Sequence, residues 1–352
     1  MMKNKIKILV LLSFFIFAIG NQSRAQYVTK KVSTKHQAYT DSLKSIDYNY
    51  TFPILGKAAY KNGFDIPYPL GIMSNFVWLD QGIDITNLQL GVQSTNVDLP
   101  LTPIDFITFG ENRNTSYTFN VRPDVWIFPF LNVYGLFGYG TSTTEVNLAT
   151  PIELKSVVTQ NIRTKGVGVM GAFGIGPIWA SVDANWTWNK PELLDDPLLV
   201  KVLGIRLGHT IKFKDRPDRN FAIWAGGMRV KMTSETFGQI TLIDALPAET
   251  WNRTAEIVAQ YDAWYAELGP IKKEAVDNSA FPEIINSIDN ADGSTIVKYG
   301  MDKQVINMWN GVVGAQLQLN KHWIIRTELG LVGDRKSILF SANYRLLGIK
   351  KK

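Results

Sequence analysis

The chain has 352 residues, a formal net charge of +6, 12% aromatic residues, 28 glycines and no cysteine. Without cysteine there is no disulfide framework, no thiolate metal site and no lipid-attachment thiol. The positive charge does not point to nucleic acid, because Lys3, Lys5, Lys7 and Arg24 fall in the first stretch of chain with no acid among them, and the rest is close to neutral.

Taken in chain order, those lysines precede an apolar stretch, 8–19, and the small-residue site Ser23-Arg24-Ala25. This predicts a secretory signal peptide, 1–25, cut before Gln26. About a dozen apolar residues fall short of the roughly 20 that a helix needs to cross a bilayer, and no later run reaches that length. Residues 26–69 are polar, contain Lys30, Lys31, Lys35 and Lys44, and lack sustained alternation. A short tail, an inner plug and a periplasmic helix are all compatible with them.

From 70 to 349 the dominant period is two, the signature of strands with one oily and one wet face. Strands begin at 71–80, "GIMSNFVWLD", followed by 83–92 and 103–109. The run 122–140, "RPDVWIFPFLNVYGLFGYG", reads as two strands around a tight turn, 129–132. Tyr117, Phe119, Val121, Val125 and Ile127 share the outward face, and Thr118, Asn120, Arg122 and Asp124 the inward one. On the return, Phe137 and Tyr139 face outward, which turns Tyr134 and Leu136 inward. In 177–189, Ile178, Ala180, Val182, Ala184, Trp186 and Trp188 oppose Ser181, Asp183, Asn185, Thr187 and Asn189. Leu203, Ile205, Leu207 and Ile211 oppose Gly204, Arg206, Gly208 and Thr210, with His209 on the apolar side. Trp323, Ile325 and Leu329 oppose Arg326 and Glu328, and the last segment sets Ile338, Phe340 and Tyr344 against Ser341, Asn343 and Arg345.

Several of these segments exceed the usual 5 or 6 residues of a soluble strand and match the 9 to 11 of a tilted membrane strand. Their aromatic residues gather toward the ends, as interfacial girdles require. Links alternate between short (128–132, 174–177, 214–219, 320–321) and either medium (190–197) or long (141–161, 233–303). Outer-membrane barrels sort their loops in this way, with the short turns periplasmic. The expected fold is therefore all-β, an antiparallel transmembrane β-barrel of about twelve strands within a range of 10–14. The insertion 233–303 is expected to be extracellular and partly helical, with an amphipathic helix over 247–268 carrying Trp251, Val258, Tyr261 and Trp264.

Gly166-Val167-Gly168-Val169-Met170-Gly171 matches a dinucleotide fingerprint, but Gly174, Gly176 and Pro177 follow where a helix must start, so the match is discarded. Gly166 and Gly168 fit a strand whose inward side is closely approached. His36, His209 and His322 are the only histidines, too few for a histidine metal cluster and scattered along the chain. No catalytic, cofactor-binding or metal-binding residues are assigned. Arg122, Asp124, Arg163, Lys165, Asp183, Arg206, Arg326, Glu328 and Arg345 are the candidate pore-lining residues. At membrane depth such charges face water or one another. A lattice that fills a narrow lumen and a path for ions or solutes remain equal alternatives.

The 67–72 stretch "PYPLGI", the "RPDVWIFPFLNVYGLFGYG" hairpin and the closing strand give a chain that resembles Gram-negative, Bacteroidetes-like outer-membrane β-barrel proteins of a poorly characterised type. The resemblance covers about residue 67 to the C-terminus. It implies an outer-membrane location, insertion by the barrel-assembly machinery, and contact with outer-membrane lipid and lipopolysaccharide. Such barrels usually end on an aromatic residue, whereas here Leu346, Leu347, Gly348 and Ile349 precede three lysines, so Tyr344 or Leu346 would take that place. The function expected is a channel or transport protein for small solutes, without catalysis and without a nucleic-acid partner. The alternatives are a structural or surface-binding barrel acting through 233–303 and, behind it, an outer-membrane lipid or lipid A hydrolase.

Overall fold

The segments with two-residue alternation pair in register, each with its neighbour along the chain, until the last strand meets the first. The structure, a computed structural model, describes residues 29–95, 97–233 and 235–351; the expected signal segment lies outside them. Ten antiparallel strands form the wall. They are β1 (Leu70–Gln93), β4 (Asn112–Phe128), β5 (Leu131–Thr150), β6 (Leu154–Ile175), β7 (Ile178–Pro191), β8 (Leu198–Lys212), β9 (Asn220–Met232), β12 (Trp309–Gln318), β13 (Trp323–Val332) and β14 (Lys336–Leu346). Closure is made at β1, which pairs with β14 from Leu70↔Leu346 to Asp80↔Lys336 and with β4 from Leu70↔Val125 to Ile83↔Asn112. A closed sheet has no open edge, so the wall satisfies its own backbone polar groups.

The expected twelve wall strands are corrected to ten. Residues 71–80 and 83–92 are one strand, because Asp80-Gln81-Gly82 continues the extended backbone and keeps its pairing with β4. Four further strands lie outside the wall: β2 (Asp98–Pro103), β3 (Thr108–Phe109), β10 (Glu235–Thr241) and β11 (Ile296–Val305). Where β14 stops pairing with β1, β11 takes over the same edge, from Ile83↔Val305 to Gln93↔Ile296. On the opposite edge β2 pairs with β1 above the end of β4. The upper part of β1 is therefore the spine of an extension of the same sheet, which rises above one side of the barrel.

The turns β4–β5, β6–β7, β8–β9 and β12–β13 lie at one end, here called lower. The long segments 94–111 and 233–308 lie at the other. The expected long link 141–161 is corrected: β5 and β6 stay paired out to Leu148↔Leu154 and turn within a few residues. Thr and Asn, read there as loop residues, occupy a strand that rises beyond the rim.

The insertion between β10 and β11 folds as α3 (Leu242–Ala245), a 3-10 turn (Ala248–Asn252), α4 (Thr254–Ala266), α5 (Pro270–Asp277) and α6 (Phe281–Asp289). The single helix expected over 247–268 is thus interrupted at Arg253, whose φ of −119° breaks the helical path. Its apolar stripe is used internally. Ile257, Phe281, Ile284, Ile285 and Ile288 are buried together with Leu88, Val92, Ile104 and Ile152 from the upper strands and loops, and Trp251, Val258 and Tyr261 pack onto them.

At the lower end, α1 (Thr29–Lys44) and α2 (Gly56–Lys61) pack around Leu43, Tyr48, Tyr60 and Ile66. This unit is tied to the barrel at three places. Asp65 pairs with Lys321 in the β12–β13 turn, the Ile54 amide donates to the Ile127 carbonyl (2.7 Å), and Thr51 and Asn49 exchange backbone bonds with the C-terminal residues Ile349 and Lys351.

Candidate functional site in the barrel interior

Register decides which side chains enter the lumen, since a one-residue slip would reverse every face. The inward set includes Asn75 and Gln81 on β1, Asn120, Arg122 and Asp124 on β4, Tyr134 on β5, Asp183 on β7, Arg206 on β8, Trp224 on β9, Arg326 and Glu328 on β13 and Arg345 on β14. Most of these are buried, while their strand neighbours Phe76, Tyr117, Phe119, Phe137, Ile205, Leu207 and Phe340 are exposed on the outside.

The lower half of the lumen is filled by paired charges. Arg345 Nη2 lies 2.8 Å from Asp124 Oδ1, Asn132 donates to the same oxygen at 2.7 Å, and Arg345 Nε donates to the Tyr68 carbonyl at 2.7 Å. On the facing wall Glu328 is the acceptor at the centre of a cluster. Arg206 reaches it through Nε (2.6 Å) and Nη2 (2.9 Å), Arg326 through Nη2 (2.9 Å) and the Trp224 indole through Nε1 (2.8 Å). Two guanidinium groups thus share one carboxylate, and Arg326 also lies over the Trp224 ring, 4.7 Å from its centroid. Between these clusters Tyr134 donates to Asp183 (2.7 Å) and carries Arg122 on its face at 3.6 Å. Charge-assisted, bidentate bonds of this kind are the strong ones, and they hold the strands from within.

Above this floor lies a chamber of about 420 Å³. Its walls are mixed: Val77, Leu79, Val200, Val202, Val230 and Leu339 give an aliphatic side, and Asn114, Thr118, Thr144, Asn185 and Thr187 a polar one. At its base it is lined by Arg122, Asp183, Arg206, Arg326 and Glu328 of the floor, and two further cations reach it from above, Lys303 from β11 and Arg335 from the β13–β14 turn. Arg335 is 2% exposed; its Nε donates to Gln81 (2.9 Å), whereas Nη1 has no partner among the described residues. Lys303 forms no ion pair among the described residues, and burial pushes its ammonium down to about 8.

Of the nine residues expected in the lumen, seven are there: Arg122, Asp124, Asp183, Arg206, Arg326, Glu328 and Arg345. Arg163 and Lys165 are corrected. Both are exposed and stand on the outer face of β6, because Gly166 and Gly168 take the inward positions. The reason for a glycine inward is direct: a methyl on Gly168 would overlap the Tyr134 ring, which crosses the neighbouring strand to reach Asp183. Sequence reasoning missed Lys303, Arg335, Trp224 and Asn132. For Trp224 a signal existed, the indole at an even position of a strand whose odd positions are oily. For Lys303 none did, since its strand folds over the barrel only in three dimensions.

The histidines are dispersed. His209 lies on the outer face of β8, opposite Ile178. His322, in the β12–β13 turn, packs against Tyr68 and Tyr344 and meets the Arg345 carbonyl through Nδ1 at 2.7 Å. His36 lies on α1. No group of acids and histidines among the described residues is arranged to hold a metal ion.

By fold and interior this is a closed antiparallel β-barrel with a charge-filled floor and a chamber above it. No family model matches the chain, and no curated protein does. Among solved structures it is similar to the translocator domain of autotransporter NalP from Neisseria meningitidis, at 10% identity over 91% of this chain and 99% of that one, with a TM-score of 0.33. It is also similar to the transport unit of autotransporter AIDA-I from Escherichia coli, at 9% identity over 89% and 99% with a TM-score of 0.34. The Ralstonia pickettii toluene transporter TbuX aligns at 8% identity over 80% and 90%, with a TM-score of 0.29.

Proposed function

We propose that the protein is an outer-membrane barrel that takes up small solutes through its internal chamber and works without catalysis. The outer-membrane reading is supported by the exposed apolar belt on ten closed strands, bounded above by Tyr117, Tyr139, Trp186 and Trp188 and below by Phe130, Trp323 and Tyr344. A closed barrel with such girdles suits a bilayer. The observation that carries the solute reading is the chamber itself: a room with one aliphatic side, one side of neutral polar groups, a charge-paired floor, and Lys303 and Arg335 at its upper end without an ion pair among the described residues. It suits a small molecule with an apolar body and one negative group.

The floor makes the resting barrel closed. Planar bilayers carrying the purified protein are therefore expected to show little steady current, and Glu328→Gln, which removes the acceptor shared by Arg206 and Arg326, is expected to raise conductance and the frequency of open steps. Proteoliposomes should take up benzoate in preference to benzyl alcohol, and Val202→Trp, which fills the chamber, should suppress that uptake. Steady wide-pore current from the unaltered protein would overturn the closed floor, and no benzoate preference would overturn the chamber reading.

The paired charges that fill the floor favour a second reading, a structural barrel whose insertion contacts a partner. Because the insertion's apolar stripe is consumed in its own core, the surface that remains is carried by residues such as Ile271, which is 84% exposed. Loss of partner capture on Ile271→Ser, with benzoate uptake absent throughout, would support it. A hydrolase reading would require His209→Ala or His322→Ala to abolish an activity on lipid extracts; we expect no such activity.

A further inference from the structure

Arg163 and Lys165, displaced from the lumen, are part of a larger feature. On the outer face of four adjacent strands stand Arg163 and Lys165 (β6), Lys190 (β7), Lys201 (β8), and Arg229 and Lys231 (β9). The register joins them: Arg163 directly opposes Lys190, and Lys201 directly opposes Lys231. Trp188 faces Lys165, and Trp186 faces Lys201. Like charges directly opposite one another destabilise a sheet, and here two such pairs occur side by side.

No carboxylate forms an ion pair with any of the six among the described residues. The Lys190 ammonium donates to the Leu194 and Asp195 carbonyls (2.5 and 2.6 Å), and Arg229 reaches only the Met308 sulfur at 3.5 Å. The nearby Glu192 carboxylate accepts from Asn161. Elsewhere the outward charges of the rim are matched. Arg113 pairs with Asp80 (2.8 Å), Glu111 (2.9 Å) and Asp334 (3.6 Å), and Lys155 pairs with Glu145 (2.8 Å). The uncompensated charge is thus confined to one side of the barrel. Each of the six lies about ten residues above the lower turn of its strand, which is the upper edge of a tilted membrane strand of 9 to 11 residues.

We propose that this basic belt on β6–β9 is a docking face for the phosphate groups of a phosphorylated lipid in the outer leaflet. The inference rests on the outer-membrane reading above. A phosphate seated between Lys201 and Lys231 converts a repulsive cross-strand pair into two attractive contacts, and Arg163, beside the carbonyl-bound Lys190, adds a further cation to the same face. The exposed Val167, Val182, Ile205 and Ile223 beneath the belt receive the acyl chains, and Trp186 and Trp188 occupy the boundary between them. The matched charges of the β1–β4 side have no such vacancy, so lipid binding is one-sided.

The test uses the full barrel in phosphatidylcholine nanodiscs containing a minor fraction of diphosphorylated lipid A or of the same glycolipid without its phosphates, with bound glycolipid counted by native mass spectrometry. The phosphorylated form should be retained and the dephosphorylated form lost. Lys201→Gln with Lys231→Gln should lower retention by about tenfold or more, Lys201→Arg with Lys231→Arg should restore it, and Arg113→Gln on the opposite side should leave it unchanged. Arg163→Gln with Lys190→Gln gives an independent pair if the first does not fold. Equal retention of both glycolipids, or indifference to both Gln pairs, overturns the belt. A heat-dependent shift in gel mobility, scored in every sample, separates the two failures: its absence in the unaltered protein defeats the barrel reading, while its presence without lipid selectivity defeats only the belt.

Discussion

At the scale of single residues, burial and partner decide what each side chain does. Glu328 is buried and holds three donors, so its charge is a structural requirement. Glu328→Gln leaves Arg206 and Arg326 without their shared counter-charge, and removing one partner of a buried ion pair typically costs about 3–5 kcal/mol. The conductance gain expected of that variant should therefore come with an earlier urea midpoint in lipid vesicles, and a midpoint identical to the parent would show that the cluster bears no load. Gly168 is constrained in another way. Gly168→Ala pushes the Tyr134 ring off its hydrogen bond to Asp183, and overpacking of this kind costs roughly 1–3 kcal/mol. The change should be visible in the unfolding midpoint, whereas Gly269→Ala, where no atom lies near the added methyl and the backbone φ is −73°, should shift it little.

At the scale of elements, β7 shows how far alternation can be read. Period two alone sets Ala180, Val182 and Ala184 outward and Ser181, Asp183 and Asn185 inward, and the register with β6 and β8 agrees at every position. Ala184→Arg puts a charge on the apolar belt near mid-strand and should destabilise by about 2–4 kcal/mol, while Asn185→Arg, which lines the chamber, should cost much less. Equal losses in vesicle unfolding experiments would contradict the inside-outside assignment. β6 was the harder element. Its outward face is valine below and basic above, so polarity alone placed Arg163 and Lys165 inward. Only the glycines opposite Tyr134 and Thr187 reveal which face is crowded. β1 hides its continuity for a related reason. Asp80-Gln81-Gly82 has turn composition, yet Asp80 is held in the strand by its ion pair with Arg113.

At the scale of the whole molecule, the upper sheet and the helical insertion convert an open tube into a chamber. β11 leaves the line of the wall to pair with β1, and this brings Lys303 to the upper end of the chamber. Its ammonium titrates near 8 in the folded protein against 10.5 in the free side chain. Below pH 8 both states are protonated and the folded state bears the full burial penalty. Between 8 and 10.5 the folded state sheds its proton first, so stability rises with pH across that window, by an amount on the order of 3 kcal/mol. A plot of unfolding midpoint against pH should climb over this range and be flatter in Lys303→Met. The same slope in the variant would assign the effect to another group.

What the amino-acid sequence determined by itself was the barrel class, the face of most strands, the short lower turns and seven of the nine interior charges. All of these follow from local alternation, which depends only on the pleat. What the tertiary structure alone decided was the closure at ten strands, the return of β11 over the mouth, the partner of each buried charge and the outward belt of six cations. These depend on which strands lie side by side. Cross-strand register is a long-range property, set by the whole closed sheet, and no window of sequence contains it.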